Sequence, residues 1–357
     1  MKKALINHKE IIFIVIASVI AGFIAKVPAI FSVDEEFYYP RNIGFIVFPA
    51  LSAYFAWKNR LSWVKMAAVA TLFIVGAVFI NTRPNVENDT LILSCIHLIL
   101  LMWATLGFSF VGEFTNNSVR RMGFLKYTGD LAVMMALIVI AGGILSGITL
   151  ALFKIIGYEI GEFYFENIAI YGLVAAPIVA TYLIQTNPQL VGKISPLIAR
   201  IFSPLVLVML VIFLTAIAFS GKDPFNDREF LLIFNVLLIG VMALIFFSAS
   251  DSETREISKS GKWILFLLSA ITVAVNGVAL SAILFRITEW GFTPNRAAVL
   301  GANILILINL ILVSINILKV ITGRSEPEAV GKTISRYLPV YVIWTAVVTF
   351  LFPFIFG

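Results

Sequence analysis

The stretch RITEWGFTPNR places Arg286, Glu289 and Arg296 close together in an otherwise apolar region. Arg286 and Glu289 are three apart, the spacing at which side chains on one helical face meet, so an ion pair on a last helical turn is expected. Gly291 and Thr293-Pro294 then break the helix. Trp290 marks a membrane interface, and Arg296 opens the next helix. Such a pair can hold two helix ends together or serve as a gate, and it can equally be an ordinary solvated contact of small energy. A second set of polar residues lies inside apolar runs: His97 with Ser94, Thr105 and Ser109; Asn235; Ser269, Thr272 and Asn276; Asn309 and Asn316. Polar groups in lipid are costly and face the protein interior or a water-filled path. These residues are therefore a candidate solute path, or else hydrogen-bonding glue between helices. A third set, Glu159, Glu162 and Glu166, shares one face if its segment is helical. It offers an outer acidic rim that can concentrate cations, or a plain solvated surface.

Catalytic constellations are missing from the sequence. It has no HExxH, no Walker loop and no GxGxxG. Asp34, Glu35 and Glu36 followed by Arg41 approach the EExxxR pattern of intramembrane proteases. The spacing is wrong, Pro40 interrupts, and the partner histidines are missing. Cys95 is the single cysteine, and His8 and His97 are the two histidines. Neither a disulfide framework nor a cysteine metal site can be built from that set. The sequence reads as a non-enzyme without cofactor or metal.

The elements that hold these residues are set by composition. Hydrophobic residues make up 60% of the 357, and only 13% are charged. Soluble domains carry about 25% charged residues. Mean hydropathy is +1.00. So much apolar surface needs lipid as its solvent, and the net charge of +6 reflects basic loops rather than nucleic-acid binding. A crossing helix needs about 20 apolar residues. Eleven segments qualify: 11–27, 43–57, 64–80, 91–111, 131–153, 168–184, 201–219, 230–250, 263–284, 297–318 and 337–356. The second is the shortest and contains Pro49. The first follows a basic start but no cleavage site, and so reads as a retained helix rather than a signal peptide. The loops are too short for a separate soluble domain, which makes residues 1–357 one polytopic domain.

With eleven crossings the loops alternate in charge. One set of loops holds 18 of the 26 Lys and Arg residues, and the other holds 8. The basic set is cytoplasmic by the positive-inside rule, so the N-terminus is inside and the C-terminus outside, in a bacterial cytoplasmic membrane. The outer loops carry 12 acidic residues. Pro49, Pro177 and Pro204 fall within predicted crossings and can break helices as transporters do, though proline is also common in membrane helices. Gly143 and Gly147, spaced as GxxxG, allow close helix contact.

RITEWGFTPNR resembles the "R-I-x-E-Y-G-[LF]-T-x-x-R" signature of the bacterial membrane family called domain of unknown function 4153. Arg286, Ile287, Glu289, Gly291, Thr293 and Arg296 match it, and Trp290 replaces Tyr. The stretches Phe153 to Ile184 and Ser203 to Phe213 are similar to its helix–acidic loop–helix unit and its Pro-Leu-Val core helix. The resemblance implies a polytopic membrane fold and a specific role for the Arg-Glu-Arg cluster, and names no activity. The expected function is permease-like movement of a small solute or ion. The alternative is a non-transporting membrane protein that recruits or regulates a partner.

Overall fold

The computed structural model describes residues 8–85, 88–113, 117–156, 158–187, 194–220, 228–251 and 258–357. The described residues are helical, without strands. In chain order the helices are α1 (His8–Ala25), α2 (Val27–Phe31), α3 (Glu35–Lys58), α4 (Trp63–Asn81), α5 (Asp89–Val111) and α6 (Ser118–Ile155). Next come α7 (Gly161–Tyr164), continued by a π turn (Phe165–Ala169) into α8 (Ile170–Thr186), then α9 (Ile194–Ser220) and α10 (Arg228–Asp251). The last are α11 (Lys259–Trp290), α12 (Pro294–Ile321) and α13 (Glu328–Ala346), which a second π turn (Val347–Leu351) carries into α14 (Phe352–Ile355). Nine helical stretches among the described residues are long and apolar enough to cross a membrane. In lipid every backbone polar group must be satisfied within the protein, and an all-helical chain does so within each segment. This is a multi-pass membrane protein.

Two expected crossings fall outside the nine. Residues 43–57 lie inside α3, a continuous helix that runs through Pro40 and Pro49. Its 24 residues include Glu35, Glu36, Arg41 and Lys58, which lower its hydropathy. Residues 230–250 lie in α10, whose apolar described part is Ile233–Ala249. Helix α6 differs in the other direction. It begins at Ser118, well before the apolar run at 131. Its 38 residues measure about 57 Å at 1.5 Å per residue, against a hydrocarbon core of about 30 Å. The excess carries Arg120, Arg121 and Lys126.

Contacts divide the chain into two compact units. The first comprises Met1–Asn85, Leu101–Phe114 and Tyr127–Ile194. At one end of it, the Tyr38 and Tyr39 hydroxyls donate to the Ile24 and Ala25 carbonyls at 2.7 and 3.1 Å. At that same end Lys26 donates to Asn167 at 2.6 Å, and Asn42 bonds Asn81 at 2.9 Å. At the other end Lys58 meets Glu10 at 3.2 Å, Asn59 donates to the Phe110 carbonyl at 2.9 Å, and Lys65 donates to the Gly112 carbonyl. The start of α1 thus lies beside the end of α3, and the end of α1 beside the start of α3. Helices α1, α3 and α4 are antiparallel in sequence order. Phe55, Phe110 and Tyr127 form an aromatic cluster with centroids 4.9 to 5.4 Å apart, in the geometry that ring quadrupoles favour.

The second unit comprises Val86–Leu100, Thr115–Lys126 and Ser195–Gly357. Helices α11 and α12 share the most extensive contact of any helix pair described. Arg121 donates to the Ser335 carbonyl at 3.1 Å. Beyond the far end of α13, Leu93, Ala297, Ala298, Val348 and Phe352 bury one another. Gly301 receives the Trp344 indole so closely that a Cβ there would collide with it.

Candidate functional site

Two polar arrangements stand out, both within the second unit. The first is the α11–α12 junction. Helix α11 ends at Trp290, and Gly291 takes φ +81° and ψ 177°, a region essentially restricted to glycine. Thr293 caps α12 by accepting the Arg296 backbone N–H at 3.4 Å, and Pro294 occupies the first turn, where its missing N–H is harmless. The break expected at Gly291, Thr293 and Pro294 is there, and Arg296 lies in the first turn of α12.

The expected Arg286–Glu289 ion pair does not form: no bridge joins the two among the described residues. The Arg286 guanidinium lies over the Trp290 ring, 5.1 Å from its centroid, and Arg296 approaches the same ring at 5.8 Å. Arg296 Nη1 also donates to the Trp290 and Gly291 carbonyls at 2.8 and 2.6 Å, satisfying the bare carbonyls that end α11. The spacing of three permits a pair. Trp290, four residues on, offers Arg286 a π face instead.

The second arrangement is a polar seam along α11, α12 and α13. Asn276 donates to the Asn303 carbonyl at 3.2 Å. Ser314 donates to Ser269 at 2.9 Å. Asn309 donates to the Tyr341 hydroxyl at 3.0 Å, which in turn points to Met242 sulfur at 3.8 Å. Asn316 donates to Thr333 at 3.0 Å, and Thr272 donates back to the Leu268 carbonyl at 2.6 Å. Asn276, Asn303 and Asn309 are at most 1% exposed. Among the described residues, three amide atoms in this seam have no partner: Asn276 Oδ1, Asn303 Nδ2 and Asn309 Oδ1. An apolar cleft lined by Ile245, Leu265, Ile317 and Val330, with Lys262 at its wall, is not lined by the seam asparagines.

The structure brings Thr272, Asn276, Asn309 and Asn316 into this one seam. His97 stays apart: half-buried on α5, its Nδ1 contacts the Leu93 carbonyl of its own helix at 2.9 Å. Asn235 is half-buried on α10 and engaged by a neighbour. Glu159, Glu162 and Glu166 do not share one helical face. Glu159 precedes α7, Glu162 lies in α7, and Glu166 lies in the π turn, all exposed. No three His, Cys, Asp or Glu side chains are grouped to hold a metal among the described residues.

Sequence reasoning missed Asn303 and Tyr341, which complete the seam, and three buried charges. Glu10, Arg41 and Asp130 are 8%, 4% and 3% exposed. Arg41 donates to the Phe37 and Pro84 carbonyls at 3.1 and 3.4 Å and lies over the Phe37 ring. The available signal was position: Arg41 and Asp130 fall within two residues of expected crossings, where a charge has to be paired or buried. Compared with protein-family models, curated proteins and solved structures, the chain finds no match.

Proposed function

We propose that this protein is an eleven-span permease of the bacterial cytoplasmic membrane, N-terminus inside and C-terminus outside, moving a small solute or ion along the α11–α13 seam. The charge alternation supports the topology. So do the antiparallel pairings within the first unit, in which Glu10, Lys58, Asn59, Lys65 and Gly112 gather at one end. The similarity of Arg286 to Arg296 to the signature of domain of unknown function 4153 is consistent with it.

The observation that carries the transport reading is the set of unmatched amide atoms on Asn276, Asn303 and Asn309. A buried polar group without a partner costs about 1–3 kcal/mol, and more where lipid replaces water. Water or an ion visiting the seam would supply the missing partners. The rival reading, a membrane protein that recruits or regulates a partner, is favoured by the hydrogen bonds that run helix to helix along the same seam.

The test is flux through proteoliposomes of the purified protein, read with dyes for H⁺, Na⁺ and K⁺ and by release of trapped small solutes. Flux that Asn276→Leu with Asn309→Leu abolishes supports the seam as a path. Flux unaffected by the double variant, or a wild-type protein that passes nothing and shows a dry seam at high resolution, favours the partner-binding reading.

A further inference from the structure

The α11–α12 junction holds cations that the proposed path does not use. Arg286 is half-buried, its guanidinium makes no hydrogen bond among the described residues, and its Nη1 is shielded without a partner. A guanidinium is always charged and carries five N–H donors. Leaving them unmatched beside an apolar core is unfavourable. Glu289, three residues on, is exposed and pairs with neither arginine. Arg296 spends Nη1 on the Trp290 and Gly291 carbonyls, and its Nε and Nη2 make no bond among the described residues. Both guanidinium groups face one indole, at 5.1 and 5.8 Å. Two like charges thus contact the same ring, and among the described residues neither is paired with a carboxylate.

We propose that Arg286, Trp290 and Arg296 form a binding site for a phosphate-type anion at this junction. A planar guanidinium fork matches the oxygens of a phosphate in paired hydrogen bonds. One anion bound beside the ring would take hydrogen bonds from the guanidinium donors left open and offset both positive charges. The start of α12, at the same place, adds the positive end of a helix dipole. Trp290 is 48% exposed, which suits an indole lying at headgroup depth. The same chemistry fits a lipid headgroup or a free phosphate, and the site is independent of whether the seam conducts.

The full chain in detergent is titrated with phosphatidylglycerol and with phosphatidylcholine and followed by native mass spectrometry. Inorganic phosphate is titrated separately and followed by thermal unfolding. One tight phosphatidylglycerol adduct, weakened about ten-fold by R286Q/R296Q, assigns the site to an anionic lipid. Stabilisation by inorganic phosphate that the same variant loses assigns it to a soluble anion. Equal binding of every probe by wild type and R286Q/R296Q overturns the proposal. If that variant does not fold, R286K and R296K keep the charge and lose the fork. Affinities unchanged in both likewise overturn it.

Discussion

Glu10 and Lys58 lie 3.2 Å apart, joining the first turn of α1 to the last residue of α3. Their side chains are 11% and 30% exposed, and Lys58 also donates to the Tyr54 hydroxyl at 3.0 Å. Removing one partner of a well-buried pair costs about 3–5 kcal/mol, because the other charge is left desolvated. Lys58 is partly solvated, so Lys58→Met is expected to cost about 1–2 kcal/mol after discounting for screening. Glu10→Gln combined with Lys58→Met should recover part of that loss. Thermal unfolding in detergent of wild type, Lys58→Met, Glu10→Gln and the double variant measures it. Equal stability of all four would show that the pair contributes nothing.

Gly301 and Gly143 make opposite predictions from the same substitution. A Cβ at Gly301 meets the Trp344 indole, whereas one at Gly143 meets nothing within 4 Å. Gly301→Ala is expected to destabilise by about 1–3 kcal/mol through overpacking. Gly143→Ala should be neutral or stabilising by about 0.5–1 kcal/mol, since alanine is the better helix former. A cysteine crosslink or native mass spectrum showing dimers that Gly143→Ala breaks would mean that this face packs against a second copy.

Gly291 ends α11 with φ +81° and ψ 177°. Substituting alanine there forces a side chain into a region open to glycine alone, at about 1–3 kcal/mol. The loss should be confined to unfolding temperature and to binding at the junction. Expression of Gly291→Ala with an unchanged melting curve would show that the junction relaxes without strain.

The topology is checked by fusions. A reporter that is active only outside the cytoplasm, joined after Gly357, is expected to be active. The same reporter joined at Gly323, between α12 and α13, is expected to be silent, because Lys319 and Arg324 flank it. The reverse pattern would invert the assigned orientation.

Chemistry that acts within a few residues was legible in the sequence. Gly291, Thr293 and Pro294 announced a helix end and a helix start, and both formed there. Asn276 and Asn309 stood out because amides are rare in such apolar company. Partners brought from elsewhere in the chain were not legible. Asn276 bonds a backbone carbonyl 27 residues away, and a carbonyl carries no sequence signature. The spacing of Arg286 and Glu289 showed only that the two can meet, and it gave no weight to the ring of Trp290. Glu159 and Glu166 were placed on one face by assuming regular helix where a coil and a π turn intervene. Position beside an apolar window flagged Glu10, Arg41 and Asp130 as charges at the ends of crossings, but not which neighbours cover them.

The junction between α11 and α12 also bears on how the chain assembles. Three residues, Gly291 to Thr293, separate two helices of 32 and 28 residues that share the most extensive contact described. Closing so short a loop sacrifices little chain entropy, and contacts near in sequence form fastest. The hairpin is therefore the natural nucleus of its unit, a template on which helices more distant in the chain condense.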